Sequence, residues 1–178
     1  MHEKYDALKE LILRDALRRG NFVLSSGKKS DLYVDLRMVT LNPEGAYLIG
    51  SIIFDIIRDR EVDAVGGMTL GADPIAVATS LVAFSAGRHL YSFIVRKEQK
   101  KHGTQRWIEG PVKPGHRVVI VEDVITTGAS TEKAIDRVVD EGLVVDMVVA
   151  VFDRMEGGRA RIEGLGYKIE TLYDRLSI

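Results

Sequence analysis

The stretch VVIVEDVITTGAS, residues 118–130, decides how this chain is read. Four apolar residues precede two adjacent acids, and a turn of small and hydroxyl residues follows. A short β-branched run closed by a turn is the pattern of a central strand. Ligands of an open parallel sheet sit beyond the carboxyl ends of its strands, so Glu122 and Asp123 are expected at that edge. Thr126, Thr127, Gly128, Ala129 and Ser130 then lead into a helix. Backbone N–H groups at a helix N-terminus form an anion site, and Gly128 allows the chain to approach the anion closely. One segment therefore offers acceptors for hydroxyl groups and donors for a phosphate, as a phosphorylated sugar requires. The competing reading is a strand end followed by capping residues.

Two other nucleotide motifs are absent. An acidic strand of a nucleotide triphosphatase needs a GxxxxGK[ST] partner. The one Gly-Lys pair is Gly27-Lys28, with Phe22 where the first glycine should stand, and no GxGxxG occurs.

At 178 residues and 46% apolar content the chain suits one domain with a real core. A formal net charge of −1 gives no overall attraction to nucleic acid or anionic membrane. The sequence has no cysteine, which excludes disulfides, thiolate metal sites and cysteine nucleophiles. The N-terminal MHEKYDALKE is charged, unlike a signal peptide, and no apolar run approaches the ~20 residues of a membrane span. A soluble, cytoplasmic protein with no nucleic-acid or membrane partner is expected.

Tyr5, Leu8, Ile12 and Ala16 share a face, predicting a helix over residues 3–19 ended by Gly20. Residues 31–37 alternate as a strand. Asn42-Pro43 starts a helix continued by Ala46, Ile49, Ile53 and Ile56. Strands are predicted at 62–67, 91–96, 117–122, 144–153 and 167–172, and helices at about 73–83, 134–142 and 159–163. This alternation predicts a parallel sheet with helices on both faces, while the leading helix and first strand are expected to form a separate flap. About twenty residues between Arg96 and Arg117 lack a regular pattern, and a compact domain rarely keeps such a loop without a use.

VVIVEDVITTGAS resembles the phosphoribosyl diphosphate (PRPP) signature of the type I phosphoribosyltransferases. In that family the acids contact the ribose hydroxyls and the turn wraps the 5′-phosphate. The resemblance implies PRPP contacts at Glu122, Asp123, Val124 and Ile125, and along Thr126, Thr127, Gly128, Ala129 and Ser130. Glu122 and Asp123 would steady the ribose as C1′ gains positive charge, with Asp123 catalytic.

RKEQKKHG, residues 96–103, sets five basic side chains in seven positions. A charge run is usually a solvated face. This one begins at a strand's carboxyl end, on the same edge as Glu122, and cations there suit a diphosphate leaving group. Arg96-Lys97-x-x-Lys100-x-His102-Gly103 is similar to the catalytic loop of the orotate phosphoribosyltransferases. The likeness implies that Arg96, Lys97, Lys100 and His102 bind PRPP, with Lys100 and His102 catalytic.

LSSGKKSDLYVDLR, from Leu24, resembles the family segment that covers the base. FDRMEGG, from Phe152, matches the place where an arginine meets it, which implies orotate contacts at Arg154 and Thr126. The alternative for Arg154 is a surface pair with Asp153 or Glu156. GGMTLGADPIA, from Gly66, fits the turn where the backbone approaches the diphosphate. Some members carry lysines where Ser25 and Gly71-Ala72-Asp73 stand. His2, His89 and His116 read as surface residues, and Trp107 as a packing anchor for the loop.

The resemblance implies a type I phosphoribosyltransferase fold, a parallel sheet flanked by helices, as one domain over residues 1–178, with about 1–40 forming a hood over the base. It implies orotate and PRPP as substrates, and Mg²⁺ held mainly through PRPP with no direct protein ligand. It also implies a homodimer in which the 96–110 loop covers the neighbour's site, and no decarboxylase domain. A transferase for another base remains an alternative, as does a PRPP-sensing regulator that binds nucleic acid. The regulator should show a basic face outside the loop.

Overall fold

The computed structural model describes residues 2–23, 29–98 and 106–178. Its centre is β6 (Arg117–Ile125), whose Val118, Val119, Ile120 and Val121 are almost fully buried. β3 (Ala64–Met68) and β4 (Tyr91–Val95) lie to one side of it, and β7 (Val144–Asp153) and β8 (Ile169–Asp174) to the other. These five strands run parallel, and β5 (Ile108–Glu109) pairs antiparallel with β4 at the edge.

Burial on both faces follows from the helical crossovers. Val119 and Val121 pack with Ile49 and Ile53 of α3 (Pro43–Ile57) and Ile75 of α4 (Ala72–Ser85). Val118 and Ile120 pack with Ala134, Ile135 and Val138 of α5 (Ala129–Asp140) and Ile162 of α6 (Gly158–Gly164). Each such aliphatic side chain contributes about 1.5–3 kcal/mol on burial, so this double layer carries the fold and fixes the direction of β6. The expected parallel sheet between two helical layers is what forms. Among the described residues no helix is long and apolar enough to cross a membrane.

Asn42 caps α3 as its sequence predicts: its Oδ1 accepts from the N–H groups of Glu44 (2.9 Å) and Gly45 (3.3 Å), ahead of which Pro43 fixes the first turn.

The N-terminal segment departs from expectation. α1 (His2–Leu11) ends early, a single wider turn spans Ile12–Ala16, and β1 (Leu17–Val23) follows. The helical face was read correctly, since Leu8, Ile12 and Ala16 are buried. Pairing with β2 (Lys29–Val34) captures the rest, with Leu17 opposite Val34 and the Asp35 N–H on the Ala16 carbonyl. Gly20 falls at a register shift inside β1 rather than at a helix end. Among the described residues only the β1–β2 ribbon stands apart from the central sheet. α1 packs into the main core, and Lys4–Asp55 (2.7 Å) and the Tyr173 hydroxyl on the Tyr5 carbonyl (2.6 Å) hold it there.

Two further corrections concern the sheet's edges. β2 ends at Val34, and Arg37 opens the short helix α2 (Arg37–Thr40). The patternless stretch after Arg96 contains β5, because Ile108 and Glu109 satisfy the free edge of β4. His2 and His89 are exposed as expected. His116 is half-buried, its ring stacked on Tyr91 at 6.0 Å with an 8° interplanar angle.

Candidate active site

The carboxyl ends of β3, β4 and β6 open onto one cleft of roughly 330 Å³. Val34, Asp35, Leu36 and Arg37 form one wall, and Met68, Thr69, Leu70 and Gly71 another. Lys97, Glu122, Asp123, Val124 and Ser130 complete it.

β6 runs past its predicted end at Glu122 and through the acidic pair to Ile125. Glu122 pairs with Ala150, and Val124 and Ile125 pair with Phe152 and Asp153 of the long strand β7. The two carboxyl groups stay close enough to interact and both line the cleft, but they take different partners. Glu122 is turned to α5, only 6% exposed, and its Oε2 accepts from Ser130 Oγ (3.0 Å) and Thr131 Oγ1 (2.9 Å). Burial, reinforced by the Asp123 charge, pushes its carboxyl up to about 7, against the opposing pull of the two hydroxyls. Asp123 is half-buried, and its Oδ1 accepts from the Val124 N–H at 2.8 Å. The pair thus divides into an acid that ties β6 to α5 and an acid that faces the turn after β3.

That turn is shaped by glycine. A Cβ on Gly67 would stand 2.1 Å from the Val121 carbonyl, so the β3 backbone lies unusually close to β6. A Cβ on Gly71 would stand 2.4 Å from Asp123 Oδ1. The Thr69–Leu70 peptide is cis, and Thr69 Oγ1 donates to Asp73 Oδ2 at 2.7 Å. Asp73 is therefore a partner of the turn itself.

The turn at the start of α5 is built to favour an anion. Gly128 has φ of +77° and serves as N-cap. Three carbonyls that would repel an anion are each engaged by the protein body. Thr126 O accepts from the Gly158 N–H at 2.8 Å, Thr127 O from Arg161 Nη1 at 3.3 Å, and Gly128 O from the Glu132 N–H at 2.9 Å. The first-turn amides of α5 supply the positive end of the helix. Thr127 and Ser130 are exposed there, with Thr126 and Ala129 half-buried. Ile125 differs from its neighbours: its side chain is buried in the α5-side core, which leaves only its backbone near the turn.

The cationic residues separate. Lys97 lines the cleft. Arg96 turns to the sheet edge, where its Nη1 meets Glu109 at 3.2 Å. Lys100 and His102 lie outside the described residues, as does Ser25. Arg154 is 12% exposed and its Nη2 pairs with Glu156 Oε1 at 3.0 Å. The cleft also contains residues that the sequence did not mark: Asp35 and Arg37, joined by a bidentate pair at 2.8 and 3.0 Å. Their one sequence signal was the Asp35-Leu36-Arg37 triplet, where two charges flank a buried leucine.

Among the described residues no group of three or more His, Asp or Glu side chains is placed to hold a metal ion. The donor set at the cleft, chiefly the Asp123 carboxylate, fits a hard cation that takes most of its ligands from substrate oxygens and water.

Comparison with known proteins places these features in context. A family model described as the phosphoribosyl transferase domain matches residues 36–164. Orotate phosphoribosyltransferase of Aquifex aeolicus is 49% identical over 152 residues, 85% of this chain and 83% of that protein. Orotate phosphoribosyltransferase of Mycobacterium tuberculosis, solved with Fe(III) dicitrate, superposes with a TM-score of 0.87 at 40% identity, covering 98% of both chains. The same enzyme solved with PRPP gives a TM-score of 0.82 at 36% identity, again covering 98% of each chain.

Proposed function

The chain belongs to the orotate phosphoribosyltransferases, and from that membership we propose how its cleft divides the work of joining orotate to PRPP. The reaction gives orotidine 5′-monophosphate and diphosphate. The bond from C1′ to the diphosphate oxygen breaks, a ring nitrogen of orotate bonds to C1′ and releases its proton to solvent, and negative charge collects on the leaving group.

Asp123 accepts from a ribose hydroxyl and offsets the positive charge that develops on the sugar. Glu122 stands behind it and fixes the distance from β6 to α5. The turn of Thr126, Thr127, Gly128, Ala129 and Ser130, with the backbone of Val124 and Ile125, holds the 5′-phosphate on the amides of α5. Lys97, together with Arg96, Lys100 and His102 of the cationic loop, meets the leaving diphosphate. Thr126 and Arg154 contact orotate, whose carboxylate suits an arginine fork. Glu156 competes with orotate for Arg154, so binding would exchange one carboxylate for another. The β1–β2 ribbon forms the hood over the base, anchored where Arg175 meets Asp31 at 2.6 Å.

Mg²⁺ is the expected cofactor: carried by the diphosphate and ribose oxygens, it would neutralise part of the leaving group's charge. We assign the enzyme to the cytoplasm and to a homodimer with shared sites. Support for the dimer comes from an apolar stripe on α4, where Val77, Leu81 and Phe84 are 49%, 61% and 71% exposed at helical spacing.

One observation carries this reading: Asp123, the Gly71 turn and the start of α5 meet at a single cleft. The direct test follows the absorbance of orotate with PRPP and Mg²⁺. Orotate should be consumed, while hypoxanthine, adenine and uracil are left unchanged. Comparable turnover of any control base would overturn the assignment of the base.

A further inference from the structure

Arg96 and Trp107 bracket the cationic stretch, and one side chain from another element grips both points. The two stems are joined by the Arg96 N–H, which donates to the Trp107 carbonyl at 2.9 Å. Arg137, in the last turn of α5, donates through Nη1 to the Arg96 carbonyl and through Nη2 to the Lys97 carbonyl at 3.2 Å. Its Cζ lies 3.9 Å from the centroid of the Trp107 ring. One turn further on, Glu141 Oε1 accepts from the Trp107 N–H at 3.4 Å.

We propose that Arg137 is a positioning residue, which sets both stems of the cationic loop against α5 and thereby aims Lys97 at the cleft. The inference rests on the assignment of that loop to the leaving diphosphate.

The physical case depends on what else α5 does. Its N-terminus is the phosphate turn, and eight residues of helix, about 12 Å at 1.5 Å per residue, separate Ala129 from Arg137. A rigid rod that holds the sugar's phosphate at one end and the loop's stems near the other fixes the distance between two charged parts of one substrate. Small errors in such a distance are costly, since a misplacement of about 1 Å can cost 10²-fold in rate. The residue type is also constrained. A planar guanidinium can stack on an indole while its edge donates to two carbonyls, and an ammonium cannot do both.

A purely structural Arg137 would lower stability and affect both substrates alike. A positioning Arg137 makes a narrower set of predictions. In Arg137→Ala, kcat/KM for PRPP should fall between about tenfold and a hundredfold, while KM for orotate stays near its wild-type value. Trp107 is the only tryptophan of the chain, so its fluorescence reports the stem directly, and acrylamide quenching should rise once the guanidinium cover is gone. In a Lys100→Ala background the same substitution should add little, because the two act through one loop. Arg137→Lys keeps the charge without the fork, and it carries the test if the alanine variant folds poorly. It should recover only part of the loss.

Equal losses for both substrates, full additivity with Lys100→Ala, unchanged quenching of Trp107, or complete rescue by lysine would each overturn the proposal. Normal turnover of Lys100→Ala alone would instead remove the loop assignment, and the Trp107 signal would still show whether Arg137 sets the stems.

Discussion

Gly71 lies so close to the Asp123 carboxylate that a Cβ on it would stand 2.4 Å from Oδ1 and 2.7 Å from Oδ2. The atoms it would strike end a short side chain rather than a backbone, so the carboxylate can swing aside and the chain can still fold. Gly71→Ala should therefore separate activity from stability. Overpacking costs about 1–3 kcal/mol, and relief by rotation of Asp123 puts the expected loss at the lower end. Displacement of the carboxylate should cost roughly 10²-fold in kcat/KM for PRPP. A thermal melt run beside steady-state kinetics checks this, and an active Gly71→Ala enzyme would show that Asp123 does not need its present position.

The adjacent acid makes a pH prediction. The carboxyl of Glu122 is raised from 4.5 to about 7, first by burial and then by Asp123. In the window between those values the folded protein binds more protons at this site than the unfolded chain does. Stability assigned to Glu122 is therefore fully present below pH 4.5 and falls as pH rises through about 7. Glu122→Gln keeps the shape without the titration. Its melting temperature relative to wild type should be more favourable at pH 8 than at pH 5. Thr131→Val removes one of the two hydroxyls that favour the charged form, so it should steepen the wild-type decline. Parallel melting curves for wild type and Glu122→Gln across this range would show that Glu122 does not titrate there.

The different partners of these two acids follow from where β6 ends. Placed at the very end of β6, Glu122 and Asp123 read as two equivalent acceptors. Placed inside it, they take different partners while both still line the cleft: Glu122 meets Ser130 and Thr131, and Asp123 the Gly71 turn. What decides the difference is the length of β7, whose Phe152 and Asp153 keep pairing as far as Val124 and Ile125. Local signals were legible: the apolar run of β6, the Gly128 turn and the Asn42-Pro43 cap each depend on a few adjacent residues. Contacts set by distant pairing were not. β1 forms because β2 is there to meet it, Arg96 turns to Glu109 because β5 occupies the edge of β4, and Arg137 meets Trp107 from thirty residues away in sequence. Arg37 entered the cleft for the same reason, since helix α2 replaces the expected end of a strand.

Arg154 offers a test of base contact. It is largely buried and pairs with Glu156 at 3.0 Å. Arg154→Ala should raise KM for orotate much more than KM for PRPP. The scale is that of truncating one member of a hydrogen-bonded charge pair, about 2–5 kcal/mol. Glu156→Gln should have the opposite sign, a lower KM for orotate, because it removes the competing carboxylate. Should KM for PRPP rise in Arg154→Ala while orotate is unaffected, the two ligands have been assigned to the wrong ends of the cleft.

Assembly can be tested by complementation between two disabled chains. Lys100→Ala should lower kcat by roughly 10²–10³-fold, the scale for losing one preorganised charged donor, with little change in melting temperature because a loop lysine contributes little to folding. Asp123→Asn disables the sugar site and leaves the loop intact. If each loop serves the neighbouring subunit, a hybrid dimer contains one site built from the sugar pocket of the first chain and the loop of the second, both unaltered. Its other site carries both defects. Random pairing makes half of the dimers hybrid, each with one working site of two, so mixing under subunit exchange should restore about a quarter of wild-type activity. If each loop serves its own subunit, every site in every dimer retains one defect and the mixture stays inactive. Inactivity with hybrid dimers demonstrated by mass would exclude the shared site, and Lys100 and His102 would then act on the PRPP bound to their own chain.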